Sequence, residues 1–253
     1  MKLRLGFLAL ILPLVFGCGA PPGDGEEGSP DLAEDASAIV GGTTDYGDPA
    51  VVLVYNTAKG YLCSGTVIAA GAVLTAGHCT KPDSHPSHYV IAGGTNAATH
   101  PAWMRGVSAV HTNPAYSAHA FGVGDTGLLM LASPAPVTPL AWLSAKSDAA
   151  YATGTTFRAV GYGVTGMDAS GDTSGKKRKV TLTITQRTSR NFAYGGPEKN
   201  TCEGDSGGPA IKTIGGVATV IGTVSFGDSQ CRSIGVDMRV DEEAAFIGQW
   251  VHP

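Results

Sequence analysis

The 253-residue sequence has few charged side chains, no excess of basic residues and no apolar run long enough to span a membrane. Only 15% of residues are charged and 43% are hydrophobic, a composition that excludes an intrinsically disordered chain. The formal charge of −4 and the pI of about 5.9 give no electrostatic reason to expect nucleic-acid binding. Turn residues are abundant instead: 36 glycines and 15 prolines favour many short strands in one all-β domain.

An apolar run from Leu5 to Phe16 follows two basic residues at the start of the sequence. A basic start with a short apolar segment is typical of a secretory signal, so we expect residues 1–17 to direct export. The run ends in LVFGC, which resembles a bacterial lipobox. We favour lipid attachment at Cys18, because it also explains why the cysteine count of five is odd. Ordinary signal cleavage after Ala20 is the alternative.

Residues 18–38 form an acidic segment that cannot build a core. Six acids and no base lie in it, so we expect a flexible propeptide or linker whose charges repel one another. Residues 1–38 hold six of the 21 acidic residues and two of the 17 basic ones, which leaves 15 of each sign in residues 39–253. From Ile39 onward short apolar runs alternate with turn residues, and we expect one compact, formally neutral domain there.

Eleven segments of this domain have the length and apolar content of strands. They are Val51–Tyr55, Leu62–Ile68, Ala72–Thr75, Tyr89–Ala92, Val107–His111, Gly127–Leu131, Phe157–Gly161, Lys179–Thr185, Pro209–Lys212, Val217–Phe226 and Gly235–Val240. After the last strand we expect a closing helix with Asp241 as its N-cap. Its apolar stripe would contain Phe246, Ile247, Trp250 and Val251.

Three short motifs carry the chemistry. In CEGDSGGP, the glycines around Ser206 permit the sharp, exposed backbone that a nucleophilic serine needs. In LTAGHC, His78 lies just beyond an apolar strand. In GDTGLLML, Asp125 directly precedes an apolar run that would draw its carboxylate below the surface. The chain order His, Asp, Ser is that of the chymotrypsin arrangement and differs from the orders in subtilisin and the α/β-hydrolases.

Three further segments, IVGG at Ile39, VGYG at Val160 and VSFG at Val224, complete a family pattern. With them, residues 39–253 resemble a chymotrypsin/trypsin-type serine endopeptidase. The resemblance implies an all-β fold of two six-stranded β-barrels with the active site in the cleft between them. It also implies protein or peptide substrates. The sequence contains no motif from which we predict a cofactor or metal site, and we expect a monomer.

The resemblance assigns catalytic roles by motif. Ser206 would attack the peptide carbonyl, and His78 would take its proton and later give it to the leaving amine. Asp125 would hold the imidazole tautomer. The backbone N–H groups of Gly204 and Ser206 would form the oxyanion hole.

Four cysteines of the domain allow three disulfide connectivities, and the sequence alone does not select among them. The resemblance does select one, because it implies that Cys63 pairs with Cys79 and that Cys202 pairs with Cys231.

The resemblance also implies a zymogen. Cleavage before Ile39 would free an α-amino group that pairs with Asp205. The residue before the cut is Ala38, so we expect an activating protease that favours small residues. If Cys18 carries lipid, the same cut releases the domain. The protein would then be a membrane-anchored lipoprotein before activation and extracellular or periplasmic afterwards.

Specificity rests on a pocket whose base, by motif, is Asn200, where trypsin-like members carry an aspartate. Ser225, Gly227 and Gly235 would form the walls. A neutral amide lacks the charge that pairs with a basic side chain. Asp237, near the pocket floor, either supplies that charge from another direction or is simply half-buried and hydrogen-bonded.

Other polar clusters give weaker signals. His85 and His88 lie in a Pro/Ser-rich loop and are expected to be solvated rather than bound to metal. Lys176–Lys179 is expected to be a solvated loop end. The remaining histidines lack a nucleophile motif: His100, His111, His119 and His252. A non-catalytic binding module on the same fold is the alternative function, although the intact His, Asp and Ser motifs argue against it.

Overall fold

The structure, a computed structural model, describes residues 39–118, 123–167 and 173–251. The predicted signal peptide, Cys18, the linker and Ala38 lie outside these ranges, as do His119 and His252. Within them, no helix has both the length and the apolar character needed to cross a lipid bilayer.

The described chain is mostly strand, with short helices between some of the strands. The strands are β1 Thr43–Thr44, β2 Val51–Asn56, β3 Tyr61–Ala69, β4 Ala72–Thr75, β5 Tyr89–Gly93, β6 Trp103–Thr112, β7 Gly127–Leu131, β8 Ala141–Trp142, β9 Thr156–Gly161, β10 Arg178–Thr183, β11 Gln186–Arg187, β12 Asn191–Tyr194, β13 Pro209–Ile214, β14 Val217–Gly227 and β15 Gly235–Arg239. The α-helices are α1 Gly77–Thr80 and α2 Ala244–Ile247, and 3₁₀ turns cover Pro86–His88 and Asp148–Tyr151.

Strands β2 to β7 form a closed antiparallel barrel in the order β2-β3-β4-β7-β6-β5, with β5 pairing back onto β2. Its interior is filled by apolar side chains such as Val52, Val73 and Leu129, each fully buried. Because alternate residues of a strand face opposite sides, each strand supplies every second side chain to this core. β4 ends shortly before His78 and β7 begins shortly after Asp125, so the packed barrel holds both residues in place.

The second sheet follows the order β1-β10-β9-β13-β14-β15-β12-β11, and β8 adds to β14 in parallel. The mostly-β, chymotrypsin-like fold is thus confirmed, but the second half is a half-barrel rather than the closed six-stranded barrel expected. Its end strands, β1 and β11, have two residues each and leave too few backbone groups for a closing ladder. Its core includes an aromatic cluster of Phe157, Phe192 and Tyr194.

The C-terminal helix is confirmed, but its predicted cap is wrong. The helix begins after Glu243, and Asp241 instead accepts hydrogen bonds from the Ser147 N–H at 2.9 Å and from the Arg239 guanidinium. Phe246, Ile247 and Val251 are buried against the β body, as expected. Trp250 is not part of that stripe, because it is 44% exposed and stacks on His111 at 3.5 Å between ring centroids.

The basic run Lys176–Lys179 is not a solvated loop end. Lys177 and Arg178 are buried. The Lys177 ammonium donates to the backbone carbonyl of Asp48 at 2.6 Å and lies 3.6 Å from the Asp45 carboxylate, while Lys179 lies 3.1 Å from that carboxylate. Pairing of β1 with β10 brings these bases beside the two acids, and buried charges require such partners.

The two histidines expected to be solvated differ. His85 is exposed, as expected, but His88 is half-buried and its Nδ1 lies 2.8 Å from the Asp83 carboxylate. The Asp83 carboxylate also accepts from the His85 N–H and from the Asn56 amide. These hydrogen bonds lower the pKa of Asp83 to about 2, so it is ionised and holds the loop in place.

Candidate active site

His78 lies in the one-turn helix that follows β4. Its backbone N–H donates to Asp125 Oδ1 at 2.8 Å, and its ring Nδ1 lies 2.9 Å from Asp125 Oδ2. The two contacts fix both the backbone and the ring of the histidine. When Nδ1 carries the hydrogen that the carboxylate accepts, the lone pair of Nε2 is free to take a proton.

Asp125 directly precedes β7 and is buried, with 4% of its surface exposed. The Ser225 hydroxyl donates to its Oδ2 at 2.5 Å. Burial alone would raise the pKa of Asp125, but the hydrogen bonds from His78 and Ser225 outweigh burial and hold the pKa below its ordinary value. The carboxylate therefore stays ionised at neutral pH and can accept the hydrogen on His78 Nδ1.

Ser206 lies in the loop between Cys202 and β13, at the edge of the first barrel. The Ser206 carbonyl accepts from the Ser64 N–H of β3 at 2.8 Å. Gly207 has φ +79, and a Cβ there would lie 2.1 Å from Thr75 Oγ1, so only glycine lets the loop pack this closely against β4. His78 and Ser206 line one cleft, whose wall also contains Leu62 and Cys63.

The N–H groups of Gly204 and Ser206 are the donors predicted for the oxyanion hole. Among residues 39–118, 123–167 and 173–251, no protein atom accepts a hydrogen bond from either N–H. The Gly204 carbonyl accepts a hydrogen bond from the Ser64 hydroxyl at 2.9 Å, and that hydroxyl accepts from the Tyr162 N–H at 2.9 Å. Two free donors beside the serine predicted to be the nucleophile can stabilise an oxyanion.

Asp205 and Ile39 are both buried. The Asp205 carboxylate accepts from the N–H groups of Gly163 at 2.8 Å and Cys202 at 2.9 Å. Burial raises the pKa of Asp205 to about 7 despite these bonds. Ile39 packs in the core of the second sheet with φ +55, and no hydrogen bond joins it to Asp205 within the described chain.

The structure contains both disulfides that the resemblance implies. Cys63 and Cys79 join β3 to the helix that carries His78, with Cα atoms 6.4 Å apart. Cys202 and Cys231 join the Ser206 loop to the loop after β14, with Cα atoms 5.2 Å apart. The sulfurs of Cys63 and Cys79 lie near the His78 ring, but in a disulfide they are not available as thiolate metal ligands.

A cavity beside Ser206 is lined by Thr201, Ser225 and Gly227, together with the Cys202–Cys231 disulfide. Of the five predicted pocket residues, Ser225 and Gly227 therefore line it. The other three lie behind the wall: Asn200, Gly235 and Asp237 are buried and are not in the lining. Asp237 is more deeply buried than expected, with no exposed surface.

The residues behind the wall form a hydrogen-bonded group. Asn200 Oδ1 accepts from the Thr201 N–H at 3.0 Å. Asp237 Oδ1 accepts from the Tyr194 phenol at 2.5 Å, and that phenol oxygen lies 2.9 Å from Thr201 Oγ1. Asn200 Nδ2 and Asp237 Oδ2 have no hydrogen-bond partner in the described residues. Burial raises the pKa of Asp237 to about 8.

Sequence reasoning missed Tyr194, Thr201 and Asp228. Thr201 is adjacent to a motif cysteine, which could have identified it, whereas Tyr194 lies on the short strand β12 that no pattern marks. Asp228 lines the cavity, and its carboxylate accepts from a series of backbone N–H groups, including those of Ser233 at 2.8 Å and Ile234 at 2.9 Å. It therefore fixes the loop that carries Cys231.

The fold and the cleft define a chymotrypsin-like class of protein, with a His–Asp pair on one half and a serine loop on the other. The family model described as Trypsin matches residues 39–247. The chain therefore belongs to the trypsin family of serine proteases.

Individual relatives agree with this family. A trypsin from Saccharopolyspora erythraea is 29% identical over 183 residues, covering 67% of this chain and 77% of that protein. Spermosin from Halocynthia roretzi is 29% identical over 247 residues, covering 86% of this chain and 61% of that protein. A phenoloxidase-activating enzyme from Bombyx mori is 27% identical over 241 residues, covering 76% and 54%. The matched region is less than two thirds of the last two proteins.

Proposed function

We propose that this protein is an exported serine endopeptidase that hydrolyses peptide bonds through a His78–Asp125–Ser206 triad. The observation that carries the proposal is the pair of hydrogen bonds from His78 to Asp125, in a cleft that Ser206 also lines. The alternative of a non-catalytic binding module gains no support from this site, because an ionised Asp125 and an oriented imidazole have no evident use in passive binding.

The reaction has two halves. Ser206 Oγ attacks the peptide carbonyl while His78 Nε2 takes its proton, and His78 then gives that proton to the leaving amine. A water molecule, activated in the same way, hydrolyses the acyl-enzyme. The N–H groups of Gly204 and Ser206 stabilise the oxyanion in both halves, and losing one such donor costs about 3–4 kcal/mol of transition-state stabilisation.

Two serine substitutions test the nucleophile. Peptide hydrolysis by the chain cleaved before Ile39 should disappear in Ser206→Ala and persist in Ser144→Ala, a matched control at an exposed serine outside the cleft. To make cleavage controllable, an enteropeptidase sequence can replace residues 34–38. Equal activity in both variants would refute the assignment of Ser206.

We further propose that cleavage before Ile39 activates the enzyme. In the uncleaved chain the Asp205 carboxyl is buried and accepts from two backbone N–H groups, and the positive charge of Arg178 acts on it without bringing its pKa below about 7. A new α-amino group at Ile39 would supply a further positive charge. The positive φ of Ile39, unfavourable for a β-branched residue, would be released by the same cut.

Activation and release are proposed to be one event. With the acidic segment 18–38 as the sole covalent link to lipid at Cys18, an external protease that favours small residues would cut after Ala38 and free the domain. Replacing residues 34–38 by the enteropeptidase sequence should leave the uncleaved protein inactive and in the membrane fraction, and adding enteropeptidase should yield soluble, active enzyme. The Cys18→Ala variant should be soluble throughout. Activity of intact, membrane-bound protein would contradict the proposal.

A further inference from the structure

Three buried side chains form a continuous hydrogen-bonded chain that ends at the wall of the cavity beside Ser206. Asp237 on β15 accepts from Tyr194 on β12 at 2.5 Å, and the Tyr194 oxygen lies 2.9 Å from Thr201 Oγ1. Asp237 and Tyr194 have at most 1% of their surface exposed. Thr201 lines the cavity.

Packing fixes the middle of this chain. Tyr194 pairs with Gly235 between β12 and β15, and a Cβ on Gly235 would lie 2.4 Å from Tyr194 Cε2. The ring therefore lies directly against the glycine, in space that a larger residue would fill. Burial and the adjacent Asp237 carboxyl raise the pKa of Tyr194 well above its ordinary value, so the phenol keeps its hydrogen.

Counting hydrogens gives the direction of each bond. The phenol has one hydrogen, which it donates to Asp237 Oδ1, so its oxygen accepts from the Thr201 hydroxyl. The single hydrogen of Thr201 is thereby directed away from the cavity. The direction is the same for the carboxylate and for a carboxylic acid with its proton on the unpartnered Oδ2.

Ser225, a second residue of the cavity wall, also presents a hydrogen-bond acceptor, for an independent reason. The Ser225 hydroxyl donates its hydrogen to Asp125 Oδ2, so towards the cavity its oxygen can only accept. Glu203 and Asp228 also line the cavity, and no basic residue does so in the described part of the chain. The Thr201 and Ser225 hydroxyls thus offer acceptors to whatever enters the cavity.

We propose that Asp237, acting through Tyr194, is a specificity-determining residue that fixes Thr201 as a hydrogen-bond acceptor. The pocket then selects substrates whose side chain before the scissile bond ends in a hydrogen-bond donor, as in Lys or Gln, over apolar side chains of similar length. This inference rests on the proposed peptidase function. It assigns Asp237 a positioning role, because Asp237 acts through the hydrogen-bonded relay Asp237–Tyr194–Thr201 rather than by contact with the substrate.

The test uses two matched pairs of peptides that differ at one side chain: Gln against Met, and Lys against norleucine. Enzyme concentration is set by titration with a serine-directed fluorophosphonate on protein cleaved before Ile39. We expect wild type to prefer the donor in each pair. Thr201→Val should reduce each preference about tenfold, the effect of one lost hydrogen bond, through a larger fall in kcat/KM for Gln and Lys than for Met and norleucine.

Two further variants separate the relay from simple charge. Tyr194→Phe breaks the relay and frees the Thr201 hydroxyl to turn its hydrogen towards the cavity, so it should reduce both preferences, by less than Thr201→Val does. Asp237→Asn keeps an oxygen that can accept from the phenol, so it should retain both preferences. Loss of the Lys preference alone in Asp237→Asn would show that charge, not the relay, is responsible.

Other outcomes are equally decisive. A wild-type enzyme without donor preference, or an equal loss on all four peptides in both Thr201→Val and Tyr194→Phe, would overturn the inference. A correctly folded wild type that titrates no serine would instead overturn the proposed function.

Discussion

The two halves of the molecule bury different kinds of side chain. The closed barrel has an apolar core, and among the described residues its buried carboxyls, Asp83 and Asp125, lie on loops outside its strands. The second sheet carries ionisable residues on the strands themselves: Arg178 on β10, and Asp237 and Arg239 on β15. The first half orients the His–Asp pair, and the second surrounds the pocket with polar groups.

Because of this difference, burial affects the stability of the two halves differently. An apolar barrel is stabilised by burial alone, whereas each buried charge must find a partner. Arg239 is 2% exposed and meets this demand with Asp241 at 2.8 Å, Asp148 at 3.0 Å and the Tyr151 ring, whose centroid lies 4.2 Å from its guanidinium carbon. The second half is thus the more sensitive to changes of charge.

The largest expected effect concerns two His–Asp pairs that both lie in the first half. Asp125→Asn should lower kcat about 10⁴-fold, because an amide no longer holds the His78 tautomer or stabilises its charge. Asp83→Asn is the matched control: Asp83 and His88 lie 2.8 Å apart, much like Asp125 and His78, but outside the cleft. Its kcat should stay within about twofold of wild type. Similar losses in both variants, measured on folded protein, would contradict the assignment of Asp125.

Next in size is the loss of a buried ion pair in the second half. Arg239→Met should lower the free energy of unfolding by about 3–5 kcal/mol, because Asp241 is left buried without its cation. Urea unfolding measures this directly. The double variant Arg239→Met, Asp241→Leu should regain much of the loss. If the single variant unfolds like wild type, the pair does not stabilise this half.

A smaller effect concerns pH and the buried Asp205. Its pKa of about 7 lies above the value of 3.8 for the unfolded chain, so the native state holds the proton more tightly. Its contribution to stability is therefore present at low pH and is lost as pH rises from about 4 to 7. In the uncleaved chain, unfolding free energy should fall over this range less steeply in Asp205→Asn than in wild type. An unchanged slope would contradict the raised pKa. Asp237, with a pKa of about 8, adds a similar slope that Asp205→Asn retains.

The smallest effect is at the surface of the same half. Lys146 and Glu242 form an ion pair in which the lysine is 67% exposed. Lys146→Ala should change the unfolding free energy by less than about 1 kcal/mol, because solvent screens the pair. A loss as large as that of Arg239→Met would mean that burial is not what separates the two pairs.

The same contrast explains what could be predicted from sequence. Ala72–Thr75 and Gly127–Leu131 match β4 and β7 residue for residue, because a barrel with an apolar core leaves a clear pattern in its strands. Strand β12 was missed, since Asn191–Tyr194 is short and has no flanking periodicity. Local pattern also could not show that Lys177 would be buried, because its partners lie about 130 positions away.

Some features of the candidate site could also be predicted from the sequence, and others could not. Sequence motifs predict His78, Asp125 and Ser206 as the triad, and the structure brings His78 and Asp125 into hydrogen-bond contact. The environment of Asp237 was not predictable, because it depends on the pairing of β12 with β15 and on the ring of Tyr194. Asp241 was wrongly chosen as a cap because its true partner, Arg239, is two residues away on the preceding strand.

The most direct test is to locate a fluorophosphonate adduct by mass spectrometry. The chain cleaved before Ile39 should carry one adduct, on Ser206. His78→Ala should lose it, and His100→Ala, at an exposed histidine, should keep it. A correctly folded, cleaved protein without an adduct, or with one on a different serine, would contradict the proposal that this cleft is the active site of a serine protease.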